Sequence, residues 1–230
     1  MKIAVQVPIK ARSSTRVPNK NFRSLAGKPF ACWLLDELND NCPDDWDVFI
    51  DSENVSAYDF FKDRYPSRFQ FHQRSEWFAS DAANGNHLIS QFMTLHPEYD
   101  VVIQLYVTAI TLTGEIIRES VEAFLSALDQ YDSMFLVTEQ TGWYWFQGKA
   151  MNYDPGRPDG LPRSQDAVVL EETTGLYAIT RDAVMRTGCR IGRQPLMYRV
   201  PHQYAFDVDT MEDFHEAQRL LERDGKHAID

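Results

Sequence analysis

Short apolar runs alternate with amphipathic stretches along the first 140 residues, and this alternation constrains the fold more than any other feature of the chain. The amphipathic stretches carry apolar side chains at the i, i+3/i+4 spacing that gives a helix one buried face. Such alternation is typical of a mostly parallel sheet covered by helices on both faces. We therefore predict a three-layer α/β/α fold. The predicted strands are residues 2–8, 47–51, 68–72, 100–105 and 133–138, and the predicted helices are residues 29–39, 53–64, 83–95 and 115–128.

Residues 139–166 interrupt this rhythm with clustered aromatic side chains followed by several prolines and glycines. We interpret the chain as a single domain over residues 1–230 from which this segment protrudes as an arm or hairpin. Exposed aromatic side chains on an arm are typical of a subunit interface. The alternative is that Trp143 and Trp145 cover the local core.

After the arm we predict a strand at 173–180, a short helix, a strand near 196–200 and a final helix that begins at Thr210. Thr210 and Asp213 have the spacing of a capping box at that helix start.

Composition excludes several classes of function. A chain of 230 residues with a formal net charge of -11 lacks the basic balance that a nucleic-acid partner usually demands. The chain has no apolar run of membrane-spanning length and no evident signal peptide. Its three cysteines indicate neither a disulfide framework nor a zinc site, so we expect a protein of the reducing cytoplasm. A small anionic ligand in a locally basic pocket remains compatible with this composition.

A basic loop, residues 10–21, follows the first predicted strand and runs against the acidic background of the chain. It contains four cations, Lys10, Arg12, Arg16 and Lys20, and three hydroxyl groups, Ser13, Ser14 and Thr15. Fixed positive charge with several hydrogen-bond donors suits a polyphosphate. Ligands of parallel sheets bind at the carboxyl ends of the strands, which is where this loop begins. From composition alone, a solvated turn at an exposed strand end is an equal alternative.

Asp207 and Asp209 form an acid pair near the C-terminal end of the chain. In an extended segment, two side chains separated by one residue point the same way. Adjacent carboxylates repel each other unless a cation lies between them, and Mg²⁺ is commonly held by one or two carboxylates together with substrate phosphates. The alternative is that Asp209 caps the final helix.

Three further residues are candidates for ligand contacts. Arg74 can bind an anion or form a surface ion pair, and Asp81 can contact the ligand or cap the third predicted helix. Gln104 ends the strand at 100–105, and a buried amide there needs partners at both ends, which a bound base or sugar or an ordinary loop can supply.

Six ordered segments of the chain resemble those of the sugar-acid cytidylyltransferases, which include the acylneuraminate and Kdo synthetases. VPIKARSSTRVPNKNFRSLAGKPF resembles the opening of these enzymes, RSEWFASDAANGN resembles RPxxLASDxA, and DVVIQLYVTA resembles their strand that ends in Gln. ETTGLYAI resembles ENGAIYI, RIGRQPLMYRVP resembles the segment before the metal motif, and FDVDTMEDF resembles IDIDTxxDF. The resemblance covers nearly the whole chain and implies a Rossmann-like nucleotidyltransferase fold.

The resemblance implies transfer of CMP from CTP to the anomeric hydroxyl of an acidic sugar, with release of pyrophosphate. It implies catalytic roles for Lys20, Arg12, Asp207 and Asp209, with the two aspartates holding Mg²⁺. It implies nucleotide contacts from Lys10, Ser14, Arg16, Asn21, Arg74 and Asp81, and substrate contacts from Gln104, Thr108, Arg163 and Gln165. The last two lie on the arm, which in this family reaches the partner subunit's active site, so a homodimer is implied.

Two departures from the family pattern bear on the substrate. The family loop reads ARxxSxRxPxKN, so either Lys10 or Arg12 fills the role of its first arginine. The turn after Gln104 normally reads Thr-Ser-Pro-Leu-Arg, whereas residues 108–112 lack both the proline and the arginine. Asn21 favours a nonulosonic acid such as sialic, legionaminic or pseudaminic acid. Kdo or another acidic acceptor, and a non-catalytic nucleotide-binding protein, are the alternatives.

Overall fold

The computed structural model describes residues 1–12, 14–66 and 68–223. The strands are β1 Ile3–Pro8, β2 Ser24–Leu25, β3 Lys28–Pro29, β4 Trp46–Ser52, β5 Phe69–Gln73, β6 Val101–Leu105, β7 Ser133–Thr141, β8 Trp145–Phe146, β9 Lys149–Ala150, β10 Val168–Thr180 and β11 Pro195–Arg199. The helices are α1 Cys32–Asn41, α2 Val55–Phe61, α3 Gly85–Leu95, α4 Gly114–Leu125, α5 Arg181–Thr187 and α6 Met211–Arg223.

A seven-stranded sheet in the order β11-β7-β10-β6-β1-β4-β5 forms the centre of the molecule. Its neighbouring strands run parallel except β10, which is antiparallel to both β6 and β7. The prediction of a mostly parallel sheet is therefore confirmed. Strand β1 lies between β4 and β6. The chain first continues to β4 and β5 on one side of β1 and later crosses to β6 on the other side. A crevice opens at such a point, and in parallel sheets it is where ligands bind.

Helices cover both faces of the sheet, as predicted. Side chains alternate along β1, so that Val5 and Val7 belong to the larger apolar cluster and Ala4 to the smaller one. The larger cluster includes apolar residues of α1, α2, α4 and α6, and the smaller includes those of α3 and α5. Two separate apolar layers make this a three-layer α/β/α domain. No helix in the described part of the chain is both long and apolar enough to cross a membrane.

Two capping alternatives from the sequence are wrong. Helix α3 is capped by Asn84, whose side chain accepts hydrogen bonds from the backbone of Asn86 and His87, and not by Asp81. At the start of α6, the Asp213 carboxylate accepts the backbone N–H groups of Asp209 and Thr210. The Asp209 carboxylate therefore takes no part in the cap, because only its backbone is used. Thr210 and Asp213 bond reciprocally, as the capping-box spacing predicts.

The segment between β7 and β10 contains the two-stranded hairpin of β8 and β9. The alternative that its tryptophans cover the core is wrong, since Trp143 is 47% and Trp145 56% exposed. Phe146 at the hairpin turn is 63% exposed. The indole of Trp143 donates to the carbonyl of Pro162, which ties the two halves of the segment together. Strand β7 extends to Thr141, so the arm predicted at residues 139–166 corresponds to residues 142–167, which we call the arm from here on.

Candidate active site

A cavity of about 590 Å³ opens where β1 and β6 end. Its walls come from the basic loop after β1, the start of α3, the turn after β6 and the segment before α6. The predicted site residues that line this cavity are Lys10, Arg12, Ser14, Arg16, Lys20, Asn21, Arg74, Thr108, Asp207 and Asp209. Ser13 lies outside the described residues. The fold thus brings the basic loop and the acid pair to one place, although almost 190 residues of chain separate them.

Glu53, which follows β4, holds the basic loop in place. One oxygen of its carboxylate accepts the backbone N–H groups of Ala11 at 2.9 Å and Arg12 at 3.0 Å. Burial of Glu53 acts to raise its pKa, but the backbone N–H of Arg12 and the charge of Arg74 outweigh this and lower the pKa below its usual range. The Asn21 side chain closes the other end of the loop by donating to the carbonyl of Lys10. The loop is therefore fixed by its neighbours before any ligand binds.

Lys20 connects the basic loop to the acid pair. Its ammonium donates to the carbonyl of Val208 at 2.8 Å and lies 3.8 Å from the carboxylate of Asp209. Burial lowers the pKa of Lys20, and the charges of Asp209 and Asp207 oppose that shift. Arg16 lies closer to the same carboxylate, at 2.9 Å. Arg16 and Lys20 therefore both approach one oxygen of Asp209, which places the cations of the basic loop directly beside the acid pair.

Asp207 has a buried carboxylate oxygen, Oδ1, without a hydrogen-bond partner among the described residues. A buried carboxylate oxygen without a donor is costly, and a bound cation is one way to satisfy it. Within the described chain, no group of three or more metal-ligating side chains is present. The donor set that exists, two carboxylates of a single segment, matches Mg²⁺, because this ion keeps several waters and completes its shell with substrate phosphates.

Arg74 lies on the cavity wall but is almost fully buried, with 2% of its surface exposed. Its guanidinium is 3.4 Å from both the Asp51 and the Glu53 carboxylates. Burial raises the pKa of Asp51, and the charge of Arg74 acts against that rise. The alternative of a surface ion pair is wrong, because both partners are buried. Nε and Nη1 of Arg74 are buried and have no hydrogen-bond partner in the described chain, and Nη1 lies at ion-pair distance from Asp51, so Arg74 contributes charge behind the cavity wall.

Four predicted site residues do not line the cavity. Asp81 is on its rim, 3.9 Å from Lys10, whose pKa is lowered by burial and by the nearby charge of Arg12. Gln104 is fully buried and bonded within the protein: its amide donates to Gln6 and to the Gly85 carbonyl and accepts from Tyr106.

Gly85 and Tyr106, to which the Gln104 amide bonds, line the cavity wall themselves, and the contact of Gln104 with a substrate stays a prediction. Arg163 and Gln165 are exposed on the arm, where Arg163 pairs with Asp166 at 3.4 Å. Within one subunit the arm residues contribute nothing to the cavity.

Sequence reasoning missed several residues that the structure places on the cavity wall: Gly85, Asn86, Tyr106, Thr174 and Arg190. Arg190 is the most informative of them, because it adds a cation from the C-terminal part of the chain. Its segment, RIGRQPLMYRVP, resembles the family only as the stretch before the metal motif, which gives Arg190 no role, and the contacts that place it join residues 84 and 104 positions apart. The only local indication in the sequence is that Gly188 and Gly192 flank Arg190, which favours a turn there.

A comparison with known proteins identifies the family of this chain. The model of the family described as cytidylyltransferase matches residues 7–227, which span the basic loop, the arm and the acid pair. The chain belongs to the cytidylyltransferase family. This membership confirms the resemblance read from the six sequence segments and identifies the chain as a nucleotidyltransferase family member.

Curated cytidylyltransferases with similar sequences differ in the sugar acid that they are named for. An N-acylneuraminate cytidylyltransferase of Oncorhynchus mykiss is 27% identical over 96% of this chain and 51% of its own length. A pseudaminic acid cytidylyltransferase of Campylobacter jejuni is 25% identical over 90% of this chain and 91% of its own length. The chain spans about half the length of the N-acylneuraminate relatives that it matches.

Solved structures share the fold at low sequence identity. A CMP:2-keto-3-deoxy-manno-octonic acid synthetase complexed with CTP superposes with a TM-score of 0.67 at 13% identity, covering 97% of this chain and 100% of the other. A 4-diphosphocytidyl-2C-methyl-D-erythritol synthase from Anaerococcus prevotii gives a TM-score of 0.66 at 12% identity, covering 96% of each chain. This chain thus shares its three-layer fold with these two solved structures.

Proposed function

We propose that this cytidylyltransferase transfers CMP from CTP to the anomeric hydroxyl of a nonulosonic acid and releases pyrophosphate. The carrying observation is the contact of Lys20 with Val208 and Asp209, which joins the basic loop to the acid pair in one cavity and so supports binding of a polyphosphate and a metal ion side by side. The named activities of the relatives, N-acylneuraminate and pseudaminic acid cytidylyltransferases, support an acidic sugar as the acceptor.

The proposed reaction is a displacement at the α-phosphorus of CTP. The bond from the sugar oxygen to the α-phosphorus forms as the bond from the α-phosphorus to the bridging β-phosphate oxygen breaks, and the hydroxyl proton is lost. Negative charge grows on the departing pyrophosphate, so fixed cations lower the barrier by electrostatic stabilisation. Lys20, Arg16 and Arg12 supply these cations from one loop whose backbone is already fixed by Glu53.

We propose that Asp207 and Asp209 hold Mg²⁺ together with phosphate oxygens of CTP. The unpartnered Oδ1 of Asp207 supports this assignment, and two carboxylates are the usual protein contribution to such a site. When bound, Mg²⁺ supplies Lewis-acid polarisation of a phosphoryl oxygen. Arg16 and Lys20, which contact Asp209 here, are then free to turn toward the triphosphate.

We propose that the working form is a homodimer built on the arm. The arm exposes Trp143, Trp145, Phe146 and Met151, and clustered exposed aromatic side chains favour association with a second protein surface. Arg163 of the arm lies away from the cavity of its own subunit, so its proposed contact with a substrate requires the cavity of a second copy.

The test is pyrophosphate release from CTP and Mg²⁺ with sialic, legionaminic and pseudaminic acids and Kdo. We expect turnover with a nonulosonic acid and a loss of at least about 100-fold in kcat for Asp209→Asn, since the metal site is an electrostatic element of the transition state. The matched control is Asp129→Asn, which neutralises an exposed acid after α4 and should leave kcat unchanged.

Normal kcat in Asp209→Asn contradicts the metal assignment. Turnover with Kdo alone corrects the acceptor class, and CTP binding without pyrophosphate release from any acceptor contradicts catalysis.

A further inference from the structure

We propose that Arg190 binds the carboxylate of the acceptor sugar and so determines that the acceptor must be acidic. This assignment rests on the proposed function and adds a residue that neither the basic loop nor the acid pair contains. Arg190 lies in the connection between α5 and β11 and is one of the cations that line the cavity. Its side chain is 24% exposed, so it is held by the protein but open to a ligand.

Aromatic side chains hold the Arg190 guanidinium in one orientation. It lies 3.7 Å from the centre of the Tyr177 ring and donates to the Tyr177 hydroxyl at 2.9 Å. It also approaches the Tyr106 hydroxyl at 3.3 Å. The Arg190 backbone is fixed by the side chain of Asn86, which accepts its N–H at 2.9 Å. A guanidinium fixed by stacking loses little conformational freedom when it binds a carboxylate with two parallel hydrogen bonds.

Gly85 provides the space in which this arrangement forms. A Cβ atom at this position would lie 2.6 Å from Nη1 of Arg190 and 2.6 Å from the Tyr106 hydroxyl. Any side chain at the first residue of α3 would therefore displace the guanidinium or the phenol. The lack of a side chain at Gly85 thus allows Arg190 and Tyr106 to pack against the start of α3 at this end of the cavity.

The carboxylate beside Arg190 does not bury its charge, whereas the carboxylates beside Arg74 do. Among the described lining residues, Arg16 and Lys20 approach Asp209, and Arg74 is paired with two buried carboxylates. Arg190 has Glu172 at 3.5 Å, and the Glu172 side chain is 42% exposed and therefore well solvated. An anion that reaches Arg190 thus competes with one weak, screened partner.

Arg190 also belongs to a different segment from the loop that we assign to the triphosphate. Residues 106–113, which follow β6 and form the adjacent wall, contain no cation. The cations of residues 10–20 all belong to the loop after β1. A substrate with a negative group outside its phosphates therefore finds its complementary charge at Arg190, next to the hydroxyl groups of Tyr106 and Tyr177.

The experiment compares each sugar acid of the panel with its methyl ester, in wild type, Arg190→Ala and Arg190→Lys. For the acid, Arg190→Ala should raise the acceptor KM by roughly 10- to 100-fold, the loss expected for a charge-assisted hydrogen-bonding pair. The KM for CTP should stay within about twofold. For the ester, the ratio of variant to wild-type kcat/KM should be near one, because the group that Arg190 recognises is absent. Arg190→Lys should recover part of the loss for the acid.

Two further variants separate recognition from folding. Arg193→Ala removes an exposed cation three residues away that does not line the cavity, and it should leave both KM values unchanged. Gly85→Ala keeps every charge but occupies the space of the guanidinium, so it should raise the acceptor KM in the same direction as Arg190→Ala.

Binding of the acids is measured separately by saturation-transfer NMR in the presence of Mg²⁺ and an α,β-methylene analogue of CTP. This analogue cannot transfer CMP. A saturation-transfer signal for an acid in wild type that is lost in Arg190→Ala supports the assignment of Arg190. This holds even if no pyrophosphate is released from any acid, a result that would overturn only the proposed function. An equal loss for acid and ester, a raised KM for CTP instead of the acceptor, or no binding of any acid to wild type overturns the role of Arg190.

Discussion

Glu53 stabilises the cationic loop by binding its backbone rather than its side chains. Its oxygen accepts two consecutive backbone N–H groups of the basic loop, and its side chain is 7% exposed. Four cations in a loop repel one another, so the loop needs a compensating anion that does not occupy the ligand space. Glu53 meets both conditions because it approaches the backbone and leaves the side chains of Lys10 and Arg12 on the cavity wall.

Replacing Glu53 with Gln should lower the free energy of unfolding by about 1–2 kcal/mol at pH 7, the usual contribution of hydrogen bonds to a charged acceptor. The pKa of Glu53 in the folded state lies below its ordinary value of 4.5. As pH falls below that value, the unfolded state takes up the proton first, so the wild type loses this contribution. The difference between wild type and variant should therefore shrink in acid. Urea unfolding at pH 7 and at pH 4 and below measures it.

Glu122→Gln removes an exposed charge on α4 and serves as the control, with no expected change at either pH. A wild-type–variant difference for Glu53→Gln that grows in acid would contradict the direction of the pKa shift.

At the residue scale, the sequence predicts those parts of the cavity in which several charged residues lie close together in the chain. The basic loop and the acid pair each place several charges within a few positions, and both line the cavity. Arg190 and Gln104 depend on contacts between distant segments. Gln104 bonds to Gln6 across neighbouring strands, 98 positions away, and so its amide is used before a ligand arrives. No local pattern distinguishes such an internal bond from an open binding group.

Among the elements, β10 differs most from its predicted bounds of 173–180. It begins at Val168, because residues 168–172 continue to pair with residues 141–137 of β7 beyond the core. That extension includes Glu171 and Glu172 and lies partly in solvent, so its hydrophobic pattern is weak. The starts of β1, β4, β5, β6, β7 and β11 were predicted within one residue, whereas β2 and β3 were not predicted. Strands β1, β4 and β6 are buried on both faces and form continuous apolar runs, which is why they are readable from the sequence.

The arm belongs to this scale as well, and its proposed role is testable. The double substitution Trp145→Ser with Phe146→Ser removes two large exposed side chains from the hairpin without touching the core. If the arm forms the dimer, the dissociation constant should rise at least about 30-fold, the effect of losing one interface residue worth about 2 kcal/mol. Light scattering after gel filtration over a range of concentrations measures the change.

Met185→Ser alters a similarly exposed apolar side chain on α5 and should leave the mass unchanged. A hairpin variant that keeps the wild-type mass at every concentration would exclude these side chains from the interface. A monomeric wild type would overturn the dimer itself.

For the whole molecule, the cavity connects segments from opposite ends of the chain, so ligand binding should be visible in global stability. A ligand at 100 times its Kd stabilises the folded state by about 2.7 kcal/mol. For a domain of this size that corresponds to a rise in Tm of roughly 5–10 °C. We expect such a rise with CTP and Mg²⁺, a smaller one with CTP and EDTA, and little with CTP in Lys20→Ala. Calorimetry or dye-based melting provides the measurement, and an unchanged Tm at millimolar CTP with Mg²⁺ would contradict binding.

The contact between Lys20 and the Val208 carbonyl joins positions 188 residues apart. A ribosome delivers the chain from its N-terminus, so the basic loop leaves the exit tunnel long before the segment that contains the acid pair. Until residue 209 has emerged, the loop cations lack the carboxylate that lies beside them in the finished protein. Nascent chains that stop short of that segment therefore lack one side of the cavity.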